Sequence, residues 1–365
     1  MPRLHPMLFV YRILAQSSRQ PQLRMSLFTP SSPSSMSAPT LKDSKEHLYS
    51  AHVKFDPTDG KENRKFELDA VYQDTFPSGS PLGTVVTMHG SPGSHADFKY
   101  ITPLLVEKGI RVIGINFPGF GHSQDHVDLN HDNDERNAFV QAIIDGLSLN
   151  ERIIFLGHSR GADNAIKMSA RNVDRTIGTV LVAPLGLRVN KGIRPYALLT
   201  VVRWLYNNVT FLRGFIEFLL YKHYNANVGL KMPTGRMAIN SVKSMHQTSL
   251  GRQAPFMKRI IEHPHIRLLF MYTCKDFLVE KEISREFVET IKDRKHFTIQ
   301  TKDEKEEEEL TEAVKKAYFS ENQSAVTVEF AVGSHFLQKE RAKFIAESIE
   351  AICKASNGKE INQKL

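Results

Sequence analysis

Six short apolar runs punctuate the chain: Thr84 to Met88, Arg111 to Ile115, Arg152 to Leu156, Thr179 to Ala183, Ile266 to Tyr272 and Ala325 to Val332. They are five to eight residues long and rich in Val, Ile, Leu or Phe, and they predict buried strands. The last also alternates and is β-branched. Helix-like spacing marks Ala162 to Arg171, Lys281 to Ile291 and Glu340 to Ala355. A further stretch, Tyr196 to Tyr221, is strongly apolar, with Leu198, Val201, Trp204, Phe211, Phe215 and Phe218 among its members. Arg203, Asn207, Asn208, Arg213 and Glu217 interrupt it, which argues against a membrane span of about 20 apolar residues. It predicts two helices with a broad apolar face.

The turns after the strands carry candidate chemistry. Arg152 to Leu156 runs into Gly157-His158-Ser159-Arg160-Gly161, and a helix-like stretch follows. Gly-x-Ser-x-Gly between strand and helix is the pattern of a nucleophile elbow. The turn is sharp, side chains at the glycines would clash, and the Ser159 hydroxyl is lifted above the sheet edge. Ordinary turns also use Gly and Ser, so the downstream residues decide. After Ile266 to Tyr272 stands Thr273-Cys274-Lys275-Asp276-Phe277-Leu278-Val279. Asp276 is a carboxylate partner for a histidine or a cap for the helix from Lys281. No Asp or Glu lies between Asp174 and Glu217, so the strand ending at Ala183 offers no rival acid. After the last strand stands Gly333-Ser334-His335-Phe336-Leu337, and upstream Thr84 to Met88 is followed by His89-Gly90-Ser91-Pro92-Gly93.

In this order the motifs resemble the α/β-hydrolase superfamily, which presents Ser, then Asp or Glu, then His. The Asp276 segment is similar to the family's Gly-x-x-Asp turn, with Thr273 where glycine is usual. His335 sits in a Gly-x-His turn before a C-terminal helix. His89 to Gly93 resembles a His-Gly-x-Pro-Gly oxyanion loop. Asn116-Phe117-Pro118-Gly119-Phe120-Gly121-His122-Ser123 resembles the Asp-x-Pro-Gly-x-Gly-x-Ser loop, with Asn116 replacing Asp. The resemblance covers Lys54 to Ser356 apart from a divergent middle, and the chain looks like an uncharacterised nematode group of such hydrolases. It implies an α/β fold: a mostly parallel eight-stranded sheet flanked by helices, with a helical cap inserted after the sixth strand. The expected segments are a targeting segment or tail (1–42), core (43–186), cap (187–261) and core again (262–365).

The resemblance also implies roles. Ser159 is the nucleophile, His335 the general base and then acid, and Asp276 the residue that orients it. The backbone N–H groups of Ser91 and Arg160 are the oxyanion donors, since Pro92 has none. His89, His122 and His158 are expected to pack or sit in loops. No His-x-x-x-His or Cys-x-x-Cys spacing suggests a metal, and no cofactor is expected.

Charge changes the picture more than composition does. The 365 residues carry a net +8, but residues 175–261 hold thirteen Lys or Arg against one acid, Glu217. Residues 1–42 hold five basic residues and no acid. That Arg- and Ser-rich start has the composition of a mitochondrial transit peptide, or of a tail on a cytoplasmic protein. The basic cap is suited to an anionic substrate or to acidic lipid headgroups, with a solvated face as the plain alternative. No nucleic-acid-binding motif accompanies it. Cys274 and Cys353 form no disulfide framework, and Cys274 is expected to be a small buried residue. The acidic run Lys302 to Glu309 is expected to be a solvated loop or helix start.

The expected function is an acyl-enzyme serine hydrolase for a carboxylic ester or thioester with an apolar acyl group. Its partner would be a small acyl substrate, anionic or lipid-like, with peripheral membrane contact through the basic cap. The alternatives are a proline-iminopeptidase-like enzyme, a C–C bond hydrolase, and a non-catalytic ligand-binding module on the same fold. Serine at the elbow argues against the epoxide hydrolases and haloalkane dehalogenases of this fold, which use Asp there.

Overall fold

The computed structural model describes residues 34–58, 64–150, 152–228 and 231–363. The N-terminal half supplies β1 (Ser35–Met36), β2 (Thr40–Asp43), β3 (Leu48–Phe55), β4 (Phe66–Asp74), β5 (Thr84–Met88), α1 (Thr102–Glu107), β6 (Arg111–Ile115), α2 (Asn133–Gly146), β7 (Ile153–His158), α3 (Arg160–Arg171) and β8 (Thr176–Val182). Four helices follow before the next strand: α4 (Tyr196–Asn208), α5 (Arg213–His223), α6 (Gly235–His246) and α7 (Ala254–Ile261). The chain then returns with β9 (Arg267–Thr273), α8 (Lys281–Val288), β10 (Arg294–Ile299), α9 (Glu304–Phe319), β11 (Ala325–Phe330), α10 (Leu337–Glu340) and α11 (Ala342–Gln363).

One sheet runs β1-β3-β4-β6-β5-β7-β8-β9-β11-β10, with β2 also paired to β3. Neighbours from β6 to β10 are parallel, and β1 to β4 form an antiparallel margin. The expected mostly parallel α/β sheet is present, but its described part has eleven strands rather than eight. The surplus lies at the edges. β2 is exposed along its length, and β10 (Arg-Lys-His-Phe-Thr-Ile) is half-buried, so neither carries the continuous apolar run that flags a central strand.

Alternation within the strands makes two cores. Ile153, Phe155, Leu268 and Phe270 face one side of the sheet, under α2, α3, α7 and α8. Ile154, Leu156, Leu269 and Met271 face the other, under α1, α9 and α11. Every residue of β5, β6, β7 and β9 is buried, as strands covered on both faces must be.

Several local expectations shift. The helix from Lys281 ends at Val288, and the last one breaks at Arg341 into α10 and α11. Arg341 is buried, and its guanidinium pairs with Glu307 and donates to the Thr301 carbonyl. The acidic run begins α9: Asp303 caps it, and Glu304, Glu306 and Glu307 occupy its first turn, where the helix dipole favours them. Cys274 is half-buried, and its Sγ lies 3.3 Å from Glu329 Oε1. Of the expected segment 1–42, residues 1–33 lie outside the described residues, while β1 and most of β2 join the sheet. Among the described residues no helix is long and apolar enough to cross a membrane.

Candidate active site

The C-terminal ends of β5, β7, β9 and β11 converge, the position where open α/β sheets place their ligands. At the end of β7 the chain reverses at Ser159, with φ 53° and ψ −119°. That left-handed backbone costs a non-glycine residue about 1–3 kcal/mol. It is held by Ser159 N–H donating to the Val182 carbonyl (2.9 Å) and Ala162 N–H donating to the Ser159 carbonyl (3.0 Å). The flanking glycines are steric requirements. A Cβ on Gly161 would meet the Met88 carbonyl oxygen at 2.1 Å, and one on Gly157 would meet Ala162 Cα at 2.6 Å.

Ser159, His335 and Asp276 form one hydrogen-bonded chain. His335 Nε2 lies 2.8 Å from Ser159 Oγ, and His335 Nδ1 lies 2.6 Å from Asp276 Oδ2. A carboxylate only accepts, so Nδ1 carries the proton and Nε2 faces the hydroxyl as an acceptor. Asp276 Oδ1 accepts from the N–H groups of Leu278 and Val279 (2.8 and 3.0 Å), which fixes its carboxylate. It does not cap α8, whose N-cap is Glu280. Thr273 takes over at the position where glycine was expected. Its Oγ1 donates to the Gly333 carbonyl at 3.2 Å, tying the acid turn to the histidine turn. The histidine turn is also clamped by Glu340, which accepts from Ser334 N–H (3.1 Å) and Ser334 Oγ (2.6 Å).

His158 is a packing residue beside this chain. Burial pushes it down to about 3, so it is neutral, and its Nε2 donates to the His335 carbonyl at 3.1 Å. His89 is likewise held well below its ordinary value, chiefly by burial, and its Nδ1 donates to the Gly90 carbonyl at 2.7 Å. Asn116 is structural: its Oδ1 accepts from His95 N–H (2.9 Å) and its Nδ2 donates to the Val71 carbonyl (3.0 Å).

The N–H groups of Ser91 and Arg160 border Ser159 and donate to no described protein acceptor. The Arg160 side chain, which the motif leaves unspecified, is fully buried. It donates to Asn133 Oδ1 (2.6 Å) and to the Ser244 carbonyl of α6 (3.0 Å). Among the described residues no three His, Cys, Asp or Glu side chains gather as a metal-ligand set.

A cavity of about 260 Å³ opens onto Ser159 and His335. Its apolar walls are Pro92, Ala96, Leu278 and Phe336, its polar rim is Asp97, Lys99, Tyr100 and Lys339, and buried Gln338 also lines it. No residue of α4–α7 lines it. The rim residues were not among the sequence candidates; they sit on irregular turns and a short helix with no periodic signal.

Fold and site together define the class: this is an α/β hydrolase. The family described as alpha/beta hydrolase of unknown function (DUF1057) matches residues 45–354, and the chain belongs to it. An uncharacterised protein of Caenorhabditis elegans, F35H12.5, is 29% identical over 308 residues, 82% of this chain and 84% of that one. The 2-hydroxy-6-oxononadienedioate/2-hydroxy-6-oxononatrienedioate hydrolase of Cupriavidus pinatubonensis is 32% identical over 108 residues, 29% of this chain and 37% of that one. Among solved structures, an esterase from Exiguobacterium antarcticum matches with TM-score 0.53 and 18% identity, over 79% of this chain and 96% of that one, a likeness of fold.

Proposed function

We propose that the chain is a serine hydrolase that works through an acyl-enzyme on a carboxylic ester or thioester with an apolar acyl group. The observation that carries this reading is the Ser159–His335–Asp276 chain at 2.8 and 2.6 Å, opening onto a cavity with apolar walls. Ser159 Oγ attacks the substrate carbonyl while His335 Nε2 takes its proton. Asp276 holds the imidazole in the required tautomer and stabilises the imidazolium. The carbonyl oxygen gains charge and accepts from Ser91 N–H and Arg160 N–H, each such donor being worth about 10²–10³ in rate. His335 then protonates the leaving group, and a water activated by the same imidazole releases the acid.

A second reading, C–C bond hydrolysis, is favoured by the short but more identical match to the Cupriavidus hydrolase. Both readings need an activated serine, and the non-catalytic alternative does not. The test is adduct mass after incubation with a fluorophosphonate probe, for the full chain and for Ser159→Ala. Labelling that disappears in the variant supports the hydrolase reading. A folded protein that stays unlabelled overturns it. Product analysis with esters, thioesters and vinylogous 1,5-diketones then separates acyl transfer from C–C cleavage.

A further inference from the structure

The cavity at Ser159 has two lysines at its mouth, and neither has a carboxylate partner. Lys99 and Lys339 arrive from different elements, one after the turn that follows β5 and the other on α10. Both ammonium groups lie over the ring of Tyr100, at 5.2 and 5.8 Å from its centroid. No described carboxylate lies within ion-pair distance of either. Deeper in the same cavity Gln338 is 4% exposed, and its Oε1 has no partner. The one carboxyl on the rim, Asp97, is pushed up to about 7 by burial, which weakens its claim on the lysines near neutrality.

Apolar walls beneath a cationic mouth describe a substrate with a short apolar segment at the reacting carbonyl and a negative group a few atoms away. We infer that the substrate of this site carries a carboxylate or phosphate, and that Lys99 and Lys339 receive it. This rests on Ser159 being the nucleophile. The anion has two sources: the acyl part, as in a dicarboxylate half-ester, or the leaving group, as in a thioester of a phosphorylated thiol.

The experiment compares kcat/KM for p-nitrophenyl butyrate with that for mono-p-nitrophenyl succinate, and for butyryl thioesters of a neutral and a phosphate-bearing thiol. The preferred anionic member of one pair is expected to exceed its neutral partner by about tenfold at low salt, with the excess shrinking as salt rises. Lys99→Gln/Lys339→Gln should bring that ratio near one, and Lys99→Glu/Lys339→Glu should invert it. The succinate pair reports an acyl-side anion and the thioester pair a leaving-group anion. Labelled enzyme with ratios near one in both pairs, or ratios that ignore the lysines, overturns the inference and leaves the nucleophile standing. A folded protein that the fluorophosphonate does not label overturns both.

The α4–α5 hairpin makes an independent case. Its inner side, Tyr206 and Ile216 with Leu199, Val202, Leu205 and Leu220, packs on Ile239 and Val242 of α6. Its outer side is just as apolar. Leu198, Val201, Trp204, Phe211, Phe215, Phe218, Leu219 and Tyr221 account for eight of the thirteen large apolar residues exposed in the described chain. Phe211 at the bend is 84% exposed. A helix apolar all round is ordinarily buried, so this face calls for a cover. Its surroundings are basic: the Lys222 and Lys231 side chains are exposed with no described carboxylate partner. The segment's one acid, Glu217, is engaged by Tyr206 and Arg236.

We propose that this hairpin docks on an anionic lipid surface, the aromatic face entering the headgroup region and the lysines meeting the phosphates. The chain holds one tryptophan, Trp204, 57% exposed on that face, so its fluorescence is a built-in reporter. Vesicles of phosphatidylcholine with phosphatidylserine should shift its emission to the blue. Phosphatidylcholine alone should do so at least tenfold more weakly, and Phe211→Glu/Phe215→Glu should abolish the shift. No shift with either vesicle overturns docking. A mass in lipid-free solution twice that of the chain, lost in the same double variant, overturns it in favour of a second copy as the cover.

Discussion

The turns that build the cavity and the α4–α5 hairpin both concentrate positive charge, and they are assembled by opposite rules. Around Ser159 the reacting side chains have dictated partners: Asp276 is fixed by two N–H groups, His335 by Asp276, and Ser334 by Glu340. The geometry is steric as well, since a Cβ on Gly161 would lie 2.1 Å from the Met88 carbonyl oxygen. In the hairpin little is dictated. One apolar stripe packs inward, a second faces outward, and Gly214 has nothing within 4 Å of a built Cβ. The contrast teaches where each constraint comes from. Chemistry at one carbonyl demands atoms fixed to fractions of an ångström, whereas contact with a broad surface demands only area and sign of charge.

If that contrast is right, the largest effects belong to the dictated site. Asp276→Asn keeps the side-chain shape, but its amide nitrogen can donate to His335 and turn the ring's proton to the wrong nitrogen. A loss of about 10⁴ in kcat is expected, with KM little changed. Steady-state rates on any accepted ester measure it, and a loss under tenfold would detach Asp276 from the site. Next in size is Gly161→Ala. Its methyl cannot be placed without moving α3 away from β5, so about 3 kcal/mol of unfolding free energy should be lost, read from the denaturant midpoint.

These two predictions fall on positions that sequence motifs reach, for a physical reason. The elbow, the acid turn, the histidine turn and the His89–Gly93 loop are local requirements written into adjacent residues. So Ser159, Asp276 and His335 could be named in order, and the structure brings them into one chain. The remainder depends on contacts distant along the sequence. Lys99 and Lys339 meet over Tyr100 only because α10 folds back against the turn at His95–Phe98. Thr273 reads as a departure until its hydroxyl is seen bonded to Gly333, sixty residues on. Arg341, at the break in the final helix, pairs with Glu307 from a distant segment. β1, β2 and β10 carry weak patterns because edge strands need no continuous apolar run. In the hairpin, periodicity gives the helices but cannot say which apolar stripe turns inward.

A smaller effect tests the mouth of the cavity through pH. Burial raises Asp97 from 3.8 to about 7, so it is neutral below that pH and adds a negative charge above it. The other titratable or charged groups at the cavity are Lys99, Lys339, Tyr100, His335 and His158, and His158 is neutral throughout. As pH rises through about 7, the kcat/KM ratio of anionic to neutral ester should therefore fall by a few-fold. In Asp97→Asn the ratio should stay flat. The stability sign runs the same way. A carboxyl whose folded value is raised stabilises the fold most below about 4 and loses that contribution as pH rises through about 7. Asp97→Asn should accordingly narrow the difference between melting temperatures at pH 6 and pH 8.

The smallest effect comes from the unconstrained region and has the opposite sign. Gly214 lies in the first turn of α5, exposed, with an ordinary backbone and no neighbour for an added methyl. Alanine there removes backbone freedom from the unfolded chain and should stabilise by about 0.5 kcal/mol, a rise of roughly 0.7 °C in melting temperature for a chain of this length. The direction matters more than the size. The same Gly→Ala change breaks the molecule at residue 161 and helps it at 214, which only holds if the hairpin is free of the steric closure that governs the elbow. The gain appears in the main transition if α5 unfolds with the rest, through Tyr206, Ile216 and α6. If it appears only as a shift in a separate early transition, the hairpin is an independent cooperative unit, and its outward apolar face is then free to move without disturbing Ser159.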